Sequence, residues 1–162
     1  MAKTLILVRH GKPHPGGPDS PDELRELTDA GKAALAATDG FPRTFSLLTQ
    51  AQRDSAAIWA SPAVRAMQTA QAVCQAVGAR DIETHSSLWA QDPVAFLGEV
   101  LTCESSCIIA VGHIPFMDRM VARLTGSELP FKPGAAACIE LDANLEPGAS
   151  RLLWFVQGPE TR

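Results

Sequence analysis

Two arginines and two histidines each follow a run of apolar residues in this chain. Arg9 and His10 come directly after Leu5, Ile6, Leu7 and Val8, with Gly11 behind them. Arg65 lies in the segment SPAVRAMQTA, residues 61–70, and His113 in VGHIP, residues 111–115. In an open α/β sheet, ligands bind outside the carboxyl ends of the strands. Polar groups placed just after buried strands therefore share one edge of the sheet. Two guanidiniums and two imidazoles on that edge form a pocket for an anion.

Arg65 sharpens the point. Its place in the first turn of an expected helix sets a cation against the positive end of the helix dipole, a penalty of roughly 0.3–1 kcal/mol. An anion bound there reverses the sign, since the helix N-terminus and the guanidinium would hold it together. His14 and His85 are expected at the surface and Lys12 in solvent. Thr28 and Gly31 read as the start of a helix.

The elements that would position these side chains are legible as runs and periods. Apolar runs suited to buried strands occupy residues 5–8, 58–60, 108–111, 138–141 and 152–156, with a weaker one at 81–84. Helical patterns lie between them. Residues 29–37 follow Thr28 as N-cap, and 62–77 follow a Ser61–Pro62 start and stop at Gly78. Residues 93–101 and 115–124 each begin with proline, the second ending at Gly126. The stretch PHPGGPDSP, residues 13–21, is a surface loop. Alternation of strand and helix predicts one α/β domain over residues 1–162. Its architecture is a three-layer α/β/α sandwich with a largely parallel central sheet.

Composition limits the functional classes. The chain has 162 residues and a net charge of −4, enough length for one substantial core and a poor balance for broad nucleic-acid binding. No apolar run approaches the roughly 18 residues of a membrane span, and the N-terminal run is too short for a signal sequence. A cytoplasmic protein is expected, with no nucleic-acid or membrane partner. Cys74, Cys103, Cys107 and Cys138 fit reduced core residues, and their spacing matches no zinc pattern. No metal or cofactor is expected.

Taken together, RHGK (residues 9–12), LTDAG (27–31), SPAVRAMQTA and VGH resemble the histidine phosphatase superfamily, also called phosphoglycerate mutase-like, in order and spacing to about residue 125. The resemblance implies a phosphatase in which His10 is the nucleophile and is transiently phosphorylated. It also implies that Arg9, Arg65 and His113 bind the phosphoryl oxygens. These roles are chemically coherent. Phosphoryl transfer needs positioning and charge stabilisation above all, and neighbouring cations favour the neutral imidazole that can attack.

The chain also departs from the larger members of that family, which use a carboxylate to protonate the leaving oxygen. In THSSLWAQDPVAF, residues 84–96, the nearest carboxylate is Asp92, which is the candidate acid and equally a candidate helix cap. Glu83 and Glu99 are weaker choices. Ile114 stands where relatives often carry a polar residue, and no insertion builds a lid. An imidazole leaving from phosphohistidine needs far less protonation than an alkoxide, and an open pocket suits a phosphoryl group displayed on a protein. The chain thus resembles the short bacterial phosphohistidine phosphatases, with a phosphorylated protein as substrate. A small phosphoester, such as a sugar or nucleotide-related phosphate, is the alternative substrate at the same site. A non-catalytic phosphate-binding module is the alternative class.

Overall fold

The computed structural model describes residues 2–159. Its strands are β1 (Thr4–Arg9), β2 (Ala56–Ala60), β3 (Ile82–Thr84), β4 (Cys107–Gly112), β5 (Ala136–Glu140) and β6 (Arg151–Val156). They form one sheet in the order β3-β2-β4-β1-β5-β6. β1, β4, β2 and β3 are mutually parallel along that order, whereas β5 pairs antiparallel with both β1 and β6. The sheet is mostly parallel, as the alternation of elements predicts.

Side chains of β1 alternate between two cores, as a two-residue period requires. Leu5 and Leu7 face one cluster, and Ile6 and Val8 face the other. Helices α1 (Asp29–Ala36), α2 (Phe41–Phe45) and α4 (Val64–Val77) contribute Leu35, Phe41, Phe45 and the small residues Ala66 and Ala70 to the second cluster. On the other face, α5 (Ser86–Ala90), α6 (Pro93–Thr102) and α7 (Phe116–Thr125) supply Leu88, Phe96, Val100, Phe116 and Met120. Burying an aliphatic side chain of this size contributes about 1.5–3 kcal/mol. The four fully buried residues of β1 therefore anchor its carboxyl end firmly. Among the described residues, no helix is long and apolar enough to cross a membrane.

Several boundaries differ from the sequence expectation for identifiable reasons. α4 begins at Val64 rather than at Pro62. The Ser61 hydroxyl, expected as its cap, instead accepts from Ala63 N–H and pairs with His113 Nε2. The last helix begins at Phe116, with Pro115 just before it. Three short helices, α2, α5 and α3 (Gln50–Ser55), go unread because five or six residues carry too little periodicity. Residues 126–135 climb back toward Arg9, whose N–H donates to Ala135 O, so β5 enters the sheet running the opposite way.

Thr28 caps α1 as expected, its hydroxyl accepting from Gly31 N–H at 2.8 Å. Gly31 is needed for a further reason. A Cβ there would come within 2.6 Å of Lys12 O, the carbonyl that receives Thr28 N–H.

Candidate active site

The site follows from register. β1, β4 and β2 are adjacent and parallel, and their ends are level: Val8 and Ala60 both pair with Val111, and Arg9 pairs with Gly112. His10, Ser61 and His113, each one residue past its strand, therefore emerge side by side. His10 N–H donates to Gly112 O and Ser61 N–H to Val111 O, which fixes the three exits to one another. Arg65 reaches the same place from the first turn of α4. Arg9, His10, Arg65 and His113 line one open cavity of about 510 Å³.

His10 is 6% exposed, and its Nδ1 lies 2.7 Å from Gly11 O. A carbonyl can only accept, so Nδ1 carries the proton and Nε2 keeps its lone pair. Burial lowers the pKa of His10 to about 3, assisted by the charges of His113, Arg65 and Arg9 and opposed by the Gly11 hydrogen bond. At neutral pH the imidazole is uncharged, has one fixed tautomer, and could act as a nucleophile through Nε2.

His113 lies with its ring centroid 5.2 Å from that of His10, and its Nε2 pairs with Ser61 Oγ at 2.8 Å. Burial and the nearby Arg65 bring its pKa down to about 4. Thr69 ties the two sides together by accepting from Gly11 N–H and donating to Arg65 O.

Both arginines keep donors in reserve. Arg9 Nη1 donates to Phe131 O at 2.8 Å, while its buried Nε has no partner among the described residues. Arg65, 4% exposed, donates from Nη1 to Asp22 O and from Nη2 to Asp22 Oδ2, again with a buried and unpartnered Nε. An unmet buried guanidinium N–H is costly, and a charged acceptor brought within its reach relieves that cost. This arrangement can hold a tetrahedral oxyanion against a neutral imidazole.

Sequence reasoning missed part of the cavity wall. Asp22 sits in a short 3₁₀ turn, Asp22–Leu24, and its carboxylate also accepts from Arg25 Nε at 2.8 Å. Desolvation pushes the Asp22 pKa up, but the Arg25 hydrogen bond and the charge of Arg65 outweigh it and hold the group below the ordinary range. Trp89 meets His113 edge to face at 5.3 Å and lies beneath Arg65 at 5.7 Å. Gln91, in left-handed backbone at φ 54°, and Ile114 complete the rim. The i,i+3 spacing of Asp22 and Arg25 was the one local signal of the turn.

The other candidates sit elsewhere. Asp92, the candidate acid and equally a candidate cap, is the N-cap of α6; its Oδ1 accepts from Ala95 N–H, and it is not among the residues lining the cavity. Glu83 and Glu99 both contact His85, Glu99 through a 2.6 Å bond to Nδ1. His85 is thus not a free surface residue, because it also stacks on Trp59 at 4.0 Å. His14 is exposed. Lys12 lines a separate cavity with Lys132. The four cysteines are free thiols, three of them buried.

No protein-family model matches this chain, and no curated protein does. Solved structures do. The protein histidine phosphatase SixA, complexed with tungstate, superposes at TM-score 0.72 with 19% identity, covering 95% of this chain and 96% of that one. A mycobacterial glucosyl-3-phosphoglycerate phosphatase superposes at 0.67 with 14% identity, covering 99% and 100%. The chain has the histidine phosphatase fold.

Proposed function

We propose that this fold carries a metal-independent phosphatase that acts through a phosphorylated His10, with protein phosphohistidine as substrate. The observation that supports it most directly is the state of His10. It is neutral, fixed as the Nδ1–H tautomer, and flanked by two arginines whose Nε groups are unpartnered.

In the first step, His10 Nε2 attacks phosphorus and forms a P–N bond. The bond to the leaving group breaks, and the leaving group departs with the electron pair. Arg9, Arg65 and His113 would stabilise the phosphoryl oxygens as charge shifts across them. Water then attacks phosphorus, the bond to His10 breaks, and inorganic phosphate leaves with Nε2 restored. A leaving imidazole takes a proton from solvent readily, so the reading needs no dedicated acid. The carboxylate inside the cavity, Asp22, is held ionised and is a poor proton donor.

Likeness to a protein histidine phosphatase supports the protein substrate, and likeness to a sugar-phosphate phosphatase supports a second reading in which the same site takes a small phosphoester. Initial rates on a phosphorylated histidine phosphotransfer domain, set against a panel of small phosphoesters, separate them. The expected result is a higher kcat/KM for the protein; a clear preference for the esters overturns the first reading.

A further inference from the structure

Beside the catalytic cavity lies a groove of about 190 Å³, lined by Gln91, Pro93, Phe116, Arg119, Met120 and Arg123. Gln91 lines both cavities, so the groove continues the catalytic rim. We propose that it docks an acidic segment with an apolar anchor, belonging to the protein that presents the phosphoryl group. This rests on the protein-substrate reading above and deepens it.

The floor and walls of the groove set the chemistry of the occupant. Phe116 and Met120 are almost wholly buried, yet they line the groove, giving it an apolar floor. Methionine adapts to varied apolar partners. Val94, next to Pro93, is 75% exposed, and Ile114 on the catalytic rim is 37% exposed, so the surface around both cavities offers apolar contacts to a large partner.

Charge supplies the second half. Arg119 and Arg123 stand one turn apart on α7, and both are exposed. Like charges at this spacing repel. Among the described residues, neither guanidinium takes part in an ion pair or side-chain hydrogen bond, although the chain carries a net charge of −4. A pair of free arginines over an apolar floor complements carboxylates flanking an apolar side chain. A folded substrate that presents its phosphoryl group in the catalytic cavity can cover the adjoining groove at the same time. Such contacts fix encounter and orientation more than chemistry.

The test is the double charge reversal Arg119→Glu/Arg123→Glu in the full chain, with kcat/KM measured on a phosphohistidine protein and on an aryl phosphate. The expected result is a tenfold or greater rise in KM for the protein, little change in kcat, and aryl phosphate hydrolysis within twofold of wild type. The salt dependence seen with the protein substrate should flatten in the variant. Unchanged protein kinetics overturn the docking surface and leave the phosphatase reading intact. Equal losses on both substrates also overturn it, because they place the effect in the catalytic cavity. A wild-type chain that ignores the phosphoprotein but hydrolyses the ester overturns the protein-substrate reading and the docking surface with it. A shift in oligomeric state by light scattering, with no change in KM, assigns the groove to a second copy of this chain instead. The milder Arg119→Ala/Arg123→Ala variant, checked by thermal melting, separates docking from any folding defect.

Discussion

Arg65 and Asp22 are joined by two bonds across 43 residues of sequence: Nη1 to the Asp22 carbonyl at 2.7 Å and Nη2 to its carboxylate at 3.1 Å. The pairing draws the 3₁₀ turn over the site and sets a carboxylate against the guanidinium proposed to hold the phosphoryl group.

On the proposed function, Asp22 competes with oxyanions for Arg65. Because the carboxylate is largely exposed, its electrostatic effect is screened and modest, about 1 kcal/mol. Asp22→Ala should tighten inhibition by phosphate or tungstate roughly fivefold and lower kcat through lost positioning of Arg65. Weaker inhibition in the variant would mean that Asp22 serves only to orient the arginines.

The covalent chemistry proposed for His10 is open to direct trapping. Brief incubation with a labelled phosphodonor should leave a label that is lost in acid and retained in alkali. His10→Ala should abolish the label and lower kcat by about 10³-fold or more. A folded wild-type chain that takes no label yet binds phosphate would favour the non-catalytic module.

pH dependence has a fixed sign. His10 and His113 are held to about 3 and about 4, each below the unfolded value near 6.5. Between pH 6.5 and those values the unfolded chain binds more protons than the native one, so their contribution to stability falls as the pH falls through that window and is complete above it. Tm should drop between pH 6.5 and pH 4, and less steeply in His10→Gln. The acid limb of kcat/KM should lie well below pH 6.5. A limb at 6.5 would show that His10 is not desolvated.

Asp92 should behave as a helix cap. Asp92→Ala removes the bond to Ala95 N–H and should cost about 1 kcal/mol, a fall in Tm of roughly 2–4 °C. Relative rates on esters with good and poor leaving groups should stay unchanged. Losses that grow as the leaving group worsens would instead identify Asp92 as the acid.

Much of the site's framework was legible because it depends on near neighbours in sequence. The apolar run before Arg9 specifies a buried strand, the Thr28 and Gly31 pair specifies a helix start, and Gly78 ends α4 in left-handed backbone. Such features follow from side-chain period and local hydrogen bonding. Their places just after apolar runs then implied that Arg9, His10, Arg65 and His113 share one strand-end edge, and the structure gathers them around one cavity.

Tertiary structure decided what no local pattern encodes. Asp22 and Arg25 lie in a stretch without hydrophobic period, and only the reach of Arg65 from α4 brings that turn to the cavity. Trp89 and Gln91 belong to a helix of five residues and its cap, placed by packing on the sheet rather than by propensity. The direction of β5 depends on where residues 126–135 lead the chain, and Asp92 shows the same limit. A carboxylate before proline can cap a helix or serve as an acid, and that choice depends on its surroundings in three dimensions.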